Sequence, residues 1–389
     1  MRYFILVFLS LYFGFSNHLF SQKRSKQDKK TKKERVPVDS AFNKNSKTFV
    51  AIPIVNNNPT MKTGFGANAM YMFKLNKKDK ASPPSMISLV GFFTTNKSYV
   101  VVPYASLFWK ENKNRAIIAI GTVGVHHDHT YSDHLNSNDL TEARLIYKEF
   151  RTFFWLEYSH KVVGNWYLGA NFSGSKVRYQ FNQGTEEENR FTEEFFKQRG
   201  IEDNFTSSVG VSLSFDNRDY IYYPTQGFQL IVKPKFYQKW LGSDNNYTDT
   251  DVTLTGYFKL RSNMVLATMA SGNFSTGDVP FSGYQSFGTR NTLRGYPGGK
   301  YRGKYMTAVQ AEYRWRFYRR WGAVLFAGTG SVWGNEEEPD GFANRSWLPS
   351  AGIGARFMIS KVKKINIRVD YAVGVDGNQG IYFGMREAF

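Results

Sequence analysis

The sequence contains no cysteine. Disulfide bonds are excluded, and so is a lipid attached at a lipobox cysteine. Long apolar runs are also scarce. Only Phe4–Phe15 is nearly unbroken, and the mean hydropathy of −0.45 excludes a bundle of membrane helices. Acidic residues are few: 32 Asp and Glu stand against 51 Lys and Arg, a formal net charge of +19. Catalytic patterns are missing as well. There is no G-x-S-x-G, no H-E-x-x-H and no phosphate loop, so the chain reads as a non-enzyme that needs no cofactor.

Aromatic residues, by contrast, make up 17% of the chain, accompanied by 34 glycines. Residues 1–21 read as an export signal, with Arg2 ahead of an apolar run too short and too early for a stable membrane helix; a retained anchor is the alternative. Residues 22–47 read as a basic, disordered linker. Gln22–Arg35 holds eight Lys and Arg against Asp28 and Glu34, with almost nothing to bury. An exported tail is not expected to meet nucleic acid. An acidic membrane surface or wall polymer is the more reasonable contact, and a plain solvated linker is the default.

From residue 48 to 389 the pattern alternates with period two, and no convincing amphipathic helix interrupts it. The clearest stretch is 305–318. Tyr305, Thr307, Val309, Ala311, Tyr313, Trp315 and Phe317 fall on one face; Met306, Ala308, Gln310, Glu312, Arg314 and Arg316 fall on the other. The charged face is too rich in Arg and Glu for a sheet packed on both sides. It suits a wet lumen, with the apolar face against lipid. About sixteen such stretches can be counted, the last over 379–389, and an even count is what a bacterial barrel needs. The expected fold is all-β, a 16-stranded antiparallel transmembrane barrel in the outer membrane of a Gram-negative bacterium. Short connections such as Lys110–Asn114 and Arg319–Trp321 are the expected periplasmic turns. Long ones, Asp128–Glu142, Phe181–Asn204, Gly277–Lys304 and Gly334–Ser346, are the expected extracellular loops. Those at Thr185–Asp203 and Glu336–Asp340 are acidic.

Three segments carry a family resemblance. "SLSFDNRDYIYYPTQGF", Ser212–Phe228, resembles a strand–turn–strand signature through Asp216, Arg218, Asp219, Pro224 and Gly227. "LRGY", Leu293, Arg294, Gly295 and Tyr296, resembles a Val/Ile-Arg-Gly-Phe/Tyr loop motif. "INIRVDYAVGV" followed by "GIYFGMREAF" resembles a pair of closing strands with an inward Asp and a final aromatic residue. In this order and spacing they resemble the BamA/TamA family of outer-membrane assembly and translocation barrels, the bacterial surface antigen family. The resemblance implies a sixth extracellular loop folded into the lumen, with Arg294 held by carboxylates on the twelfth and thirteenth strands. Glu312 matches the first position. Gly328 stands where the second aspartate is expected, so one Arg294–Glu312 pair is anticipated, helped by Asp370 or water. An exposed arginine in a surface turn is the alternative.

The same resemblance implies a weak seam between first and last strands, here marked by Pro53, Gly380 and Gly384. Pro53 cannot donate a ladder hydrogen bond, and glycines weaken a strand interior; alternatively, Pro53 precedes the true first strand. Phe383 and the terminal Phe389 resemble the signal by which such barrels become clients of the barrel assembly machinery. The BamA/TamA proteins carry periplasmic POTRA modules, and only about 26 residues separate the signal from the first strand here. A POTRA-less member is therefore expected. Its expected partners are outer-membrane lipid and other outer-membrane or periplasmic proteins, one of which could supply the arm in trans. The expected role is outer-membrane protein assembly or translocation. The alternative is a passive channel, or a structural or interaction barrel without insertase activity, its acidic loop Gly184–Gly200 binding a partner. His127 and His129 share a face if their strand continues, and Asp128 is adjacent, so they are candidate metal ligands. Their spacing fits no standard motif, and solvated rim imidazoles are the simpler reading.

Overall fold

In the computed structural model the described residues are 48–58, 60, 62–133, 141–286, 288, 292–334, 345–361 and 364–389. The expected signal and linker, the acidic stretch Glu336–Asp340 and His134 lie outside them. The described chain forms one antiparallel barrel of sixteen long strands: β1 Thr48–Asn58, β2 Lys62–Phe73, β3 Ser85–Thr94, β4 Tyr99–Trp109, β5 Asn114–Asp133, β6 Thr141–Val163, β7 Trp166–Gln180, β8 Asn204–Asp216, β9 Gly227–Tyr237, β10 Tyr247–Arg261 and β11 Met264–Gly277, then β14 Tyr305–Tyr318, β15 Trp321–Trp333, β16 Arg345–Ser360, β17 Ile365–Gly374 and β18 Gln379–Met385. The two-residue strands β12 Gln285–Ser286 and β13 Arg302–Gly303 pair with each other inside the β11–β14 connection.

Which face is buried decides the kind of barrel. Along β14, Met306, Ala308, Gln310, Glu312 and Arg314 are buried, while Trp315 and Phe317 are exposed. Elsewhere the outward face shows Phe65, Phe93, Ile120, Leu325 and Ile353, each more than half exposed. A soluble sandwich hides such residues; here they form a band around the ring and the charges turn inward, as lipid requires. Among the described residues no helix is long and apolar enough to cross a membrane, which does not bear on crossing by strands.

Three expectations need correction. The connection expected at Asp128–Glu142 is largely strand, because β5 and β6 stay paired up to Asp133↔Thr141. The last strand ends at Met385 rather than Phe389: Arg386 takes φ 67°, and Glu387 turns to Arg356 and Asn366. An amphipathic helix, Glu186–Gln198, occupies the acidic loop where none was expected. Thr185 and Glu188 form a reciprocal capping box, and Phe196 packs with Leu145, Tyr147 and Phe281. The T-x-x-E spacing before Phe191, Phe195 and Phe196 was the available signal.

Candidate functional site: the Arg294 loop and the seam

Strand alternation lines the inner wall near the C-terminal strands with polar side chains. β14 contributes Gln310, Glu312 and Arg314; β16 contributes Ser350 and Arg356; β17 contributes Asn366, Arg368 and Asp370; all are buried. Against this wall the β11–β14 connection brings Leu293, Arg294 and Tyr296, also buried. Leu293 takes φ 50° and Gly295 φ 108°, which turns the chain around Arg294. A Cβ on Gly295 would lie 2.9 Å from the Val373 carbonyl carbon, so only glycine allows this approach.

The Arg294 guanidinium fills a slot with three walls. Its Nη1 lies 2.5 Å from Asp370 Oδ2, and its Nη2 lies 2.5 Å from Glu312 Oε1. Its plane covers the Phe326 ring at 3.7 Å. The backbone is fastened as well. Leu293 N donates to Gln310 Oε1 at 3.1 Å, and Gly295 N donates to the Tyr382 hydroxyl at 2.9 Å. Ser350 Oγ donates to the Arg294 carbonyl, and the Tyr296 hydroxyl donates to the Pro349 carbonyl. One tetrapeptide thus touches five consecutive strands, β14 to β18.

The surrounding charges continue the network. Arg314 reaches Glu312 at 2.8 Å; Arg356 and Arg368 reach Asp370 at 2.5 and 2.8 Å; Arg356 also reaches Glu387 at 2.8 Å. Four guanidiniums share three carboxylates here, so each acid is held by at least two bases. Gly328 leaves no room for the second aspartate that the loop-motif resemblance anticipates. A Cβ there would lie 2.7 Å from both Gln310 Cγ and the Val309 carbonyl oxygen. Arg294 takes its second carboxylate from β17 instead.

The seam is built differently. β1 pairs with β2 along its whole length, from Thr48↔Met72 to Asn58↔Lys62, but among the described residues only Asn57↔Ile381 joins it to β18. Pro53 lies within β1, opposite Ala67, and not ahead of it. Gly380 and Gly384 lie within β18, where each makes room for a side chain. A Cβ on Gly384 would lie 2.7 Å from Arg368 Nε, and one on Gly380 2.9 Å from the Tyr382 hydroxyl. Phe383 pairs with Val369, and the Phe389 carbonyl accepts from Arg314 at 2.8 Å.

A second fastening was not foreseen. In the strand–turn–strand signature, Asp216 accepts from Arg218 Nε at 2.8 Å and from Arg115 at 2.9 Å. Asp219 accepts from Thr225 N and Oγ1 at 2.8 and 2.6 Å. Pro224 is buried, and Gly227 takes φ 104° with no space for a Cβ against the Asn217 carbonyl. This rigid turn carries Tyr222, whose hydroxyl donates to the Pro84 carbonyl at 2.7 Å. Its ring packs among Met70 and Met72 of β2, Met86 of β3 and Ile365 of β17, with Met385 of β18 against the cluster. Tyr222 therefore touches both flanks of the seam. The aromatic run Tyr220–Tyr223 was the only hint in the sequence.

The histidines stand apart from this site. His127 is buried, stacks on Tyr147 at 4.7 Å and lies 3.9 Å from Glu149 Oε2. The His129 side chain lies outside the described residues. Among those described, no group of three His, Asp or Glu is placed to hold a metal.

Residues 106–389 match the Omp85 superfamily domain, a span that contains all three motifs. The chain belongs to the Omp85 superfamily. Its fold also resembles solved structures. BamA from Haemophilus ducreyi lacking POTRA domains 1–3 aligns at TM-score 0.53 and 17% identity, over 88% of this chain and 70% of that one. CdiB from Acinetobacter baumannii aligns at 0.56 and 11% identity, over 87% and 59%; CdiB from Escherichia coli aligns at 0.58 and 11%, over 86% and 61%. This Omp85 barrel thus spans about three-fifths of each CdiB chain, and at such identities the likeness concerns the fold. No curated protein matches. The described residues comprise the barrel and its loops, with no further domain among them.

Proposed function

We propose that this Omp85 barrel resides in the outer membrane of a Gram-negative bacterium and takes part in the assembly or translocation of other polypeptides, together with partner proteins. The seam carries the reading. A closed barrel needs no unpaired edge, yet most of the β1 edge facing β18 has no ladder partner among the described residues. Such an edge is a template for an incoming strand. The bonds of Leu293–Tyr296 fall on the β14–β18 flank and brace that wall, whereas toward β1 the same loop adds one side-chain tie, from the Thr60 hydroxyl to the Gly298 carbonyl at 3.2 Å. The loop lies against the inner wall, which supports a sixth loop folded into the lumen. The role is one of templating rather than catalysis. Phe383 and Phe389 fit a chain that is itself delivered by barrel assembly machinery.

A lock across the seam tests this. With no native cysteine, Asn57→Cys with Ile381→Cys gives one disulfide with a clean background. Cells carrying only the locked barrel should lose other outer-membrane or surface proteins, and reduction should restore them. Normal levels in the oxidised state would instead indicate a passive channel or structural barrel.

A further inference from the structure

On the lipid-facing side of β6 and β7 the apolar band ends abruptly in cations. Register places Tyr158, Leu156, Phe154 and Phe150 outward on β6, opposite Ala170, Phe172, Gly174 and Arg178 on β7. The next outward residue on β6 is Lys148, and two positions before Arg178 on β7 stands Lys176. Lys176 and Arg178 are exposed, and Lys148 Nζ lies over the rings of Phe150 and Tyr99 at 4.9 and 5.6 Å. Outward neighbours two apart on a strand, or diagonal across a pair, lie within about 7–8 Å, so the three cations form one cluster. Among the described residues none has a carboxylate within ion-pair distance; Asp128, diagonal to Lys148 on β5, is taken by Arg144 at 2.8 Å.

The cluster sits at the rim bearing the long loops. β7 pairs with β8 only as far as Val177↔Asn204, and the loop helix follows. The β9–β10 connection closes the patch: Ser207 donates to the Leu241 carbonyl at 2.6 Å beside Lys176, leaving Trp240 75% exposed. Corresponding outward positions on β10, β11, β14 and β15 are Thr248, Thr276, Thr307 and Ser331, all uncharged. Lys62 and Lys97 are also exposed at this rim, but at the β1–β2 and β3–β4 turns; the outward strand positions of β6 and β7 bring three cations together. Charge on the lipid face is tolerated at the interface and costs more with depth, which fixes the patch at headgroup level.

We propose that Lys148, Lys176 and Arg178 form a site for phosphate groups of lipid headgroups in the outward leaflet, with Tyr99, Phe150 and Trp240 as its interfacial frame. Bound lipid would anchor the β6–β7 sector, on the side of the ring away from the seam. This rests on the outer-membrane orientation proposed above.

The experiment uses the full chain folded in a neutral detergent. It is titrated with diphosphoryl lipid A, a phosphate-free lipid A and inorganic phosphate, and bound lipid is read as a mass shift. Lys148→Gln/Lys176→Gln/Arg178→Gln should weaken diphosphoryl lipid by about fivefold per cation, roughly a hundredfold in all. Lys77→Gln/Lys78→Gln/Lys110→Gln removes equal charge at the opposite rim and should leave affinity within about twofold. Equal losses in the two variants, equal binding of the phosphate-free lipid, or displacement by inorganic phosphate at matched concentration would each overturn the proposal. Orientation is checked separately by surface labelling of Asn245→Cys in whole cells. Labelled cells with no lipid preference defeat the headgroup site alone; unlabelled cells defeat the orientation beneath it.

Discussion

The two flanks of β18 are joined to their neighbours by opposite means. Toward β17 the ladder runs from Ile367↔Met385 to Val373↔Gln379, backed by the Arg294 network and the Tyr382 hydroxyl. Toward β1 the ladder is one pair, and side chains do the joining: those at the turn of Tyr222, and Thr60, whose hydroxyl donates to the Gly298 carbonyl at 3.2 Å. Backbone ladders give way cooperatively, whereas a packed tyrosine can be withdrawn alone. The contrast shows how a barrel can be stable as a whole and weak along one line.

The largest effect should come from breaking the strong flank. Asp370→Ala leaves the buried Arg294, Arg356 and Arg368 with fewer carboxylates, and removing one partner of a buried ion pair costs about 3–5 kcal/mol. Urea unfolding from detergent, followed by heat-modifiable gel migration, should show a loss near the lower end, since a wet lumen screens the charges. If Asp370→Ala unfolds like the wild type, the network does not hold the wall.

Next in size is the weak flank. Tyr222→Ala empties a slot among three methionines and Ile365 and removes the bond to Pro84, a loss of about 3 kcal/mol by analogy with buried aromatic truncation. The adaptable methionines should recover part of it. The sharper readout is exchange of the β1 amides, which should quicken while those of β14–β17 keep their protection. Uniform quickening would mean that Tyr222 braces the barrel at large and not the seam.

How much of this was readable beforehand differs by element. The sixteen strands were legible because lipid outside and water inside force a strict period of two, visible as Met306 to Arg314 against Tyr305 to Trp315. Arg294 and Glu312 were legible as a motif. The part of Asp370 as full partner was only glimpsed, because Gly328 showed what was missing but not which strand would replace it. Tyr222 was illegible: nothing local says that a turn after β8 will reach β2 and β17. The loop helix was overlooked because Gln183–Gly184 and the run of glutamates read as a polar loop, although Thr185 and Glu188 carried the cap.

That helix gives the smallest expected effect, and it sharpens the comparison by supplying a region far from the seam. Glu188 accepts from the Thr185 backbone N–H and hydroxyl, and these bonds hold its carboxyl below the usual carboxylate range. A carboxylate so lowered stabilises the helix start at pH above its unfolded value, and that contribution fades as pH falls through the folded one. Hydrogen exchange over Glu186–Gln198 should therefore be slowest near neutrality, after correction for intrinsic rates, and lose protection on acidification. Thr185→Ala should cost about 1 kcal/mol of local protection at neutral pH and flatten the acid response. The β1 amides should not respond to this change at all. If they do, loop and seam are coupled through the ring, and the separation of a rigid wall from a loose edge fails.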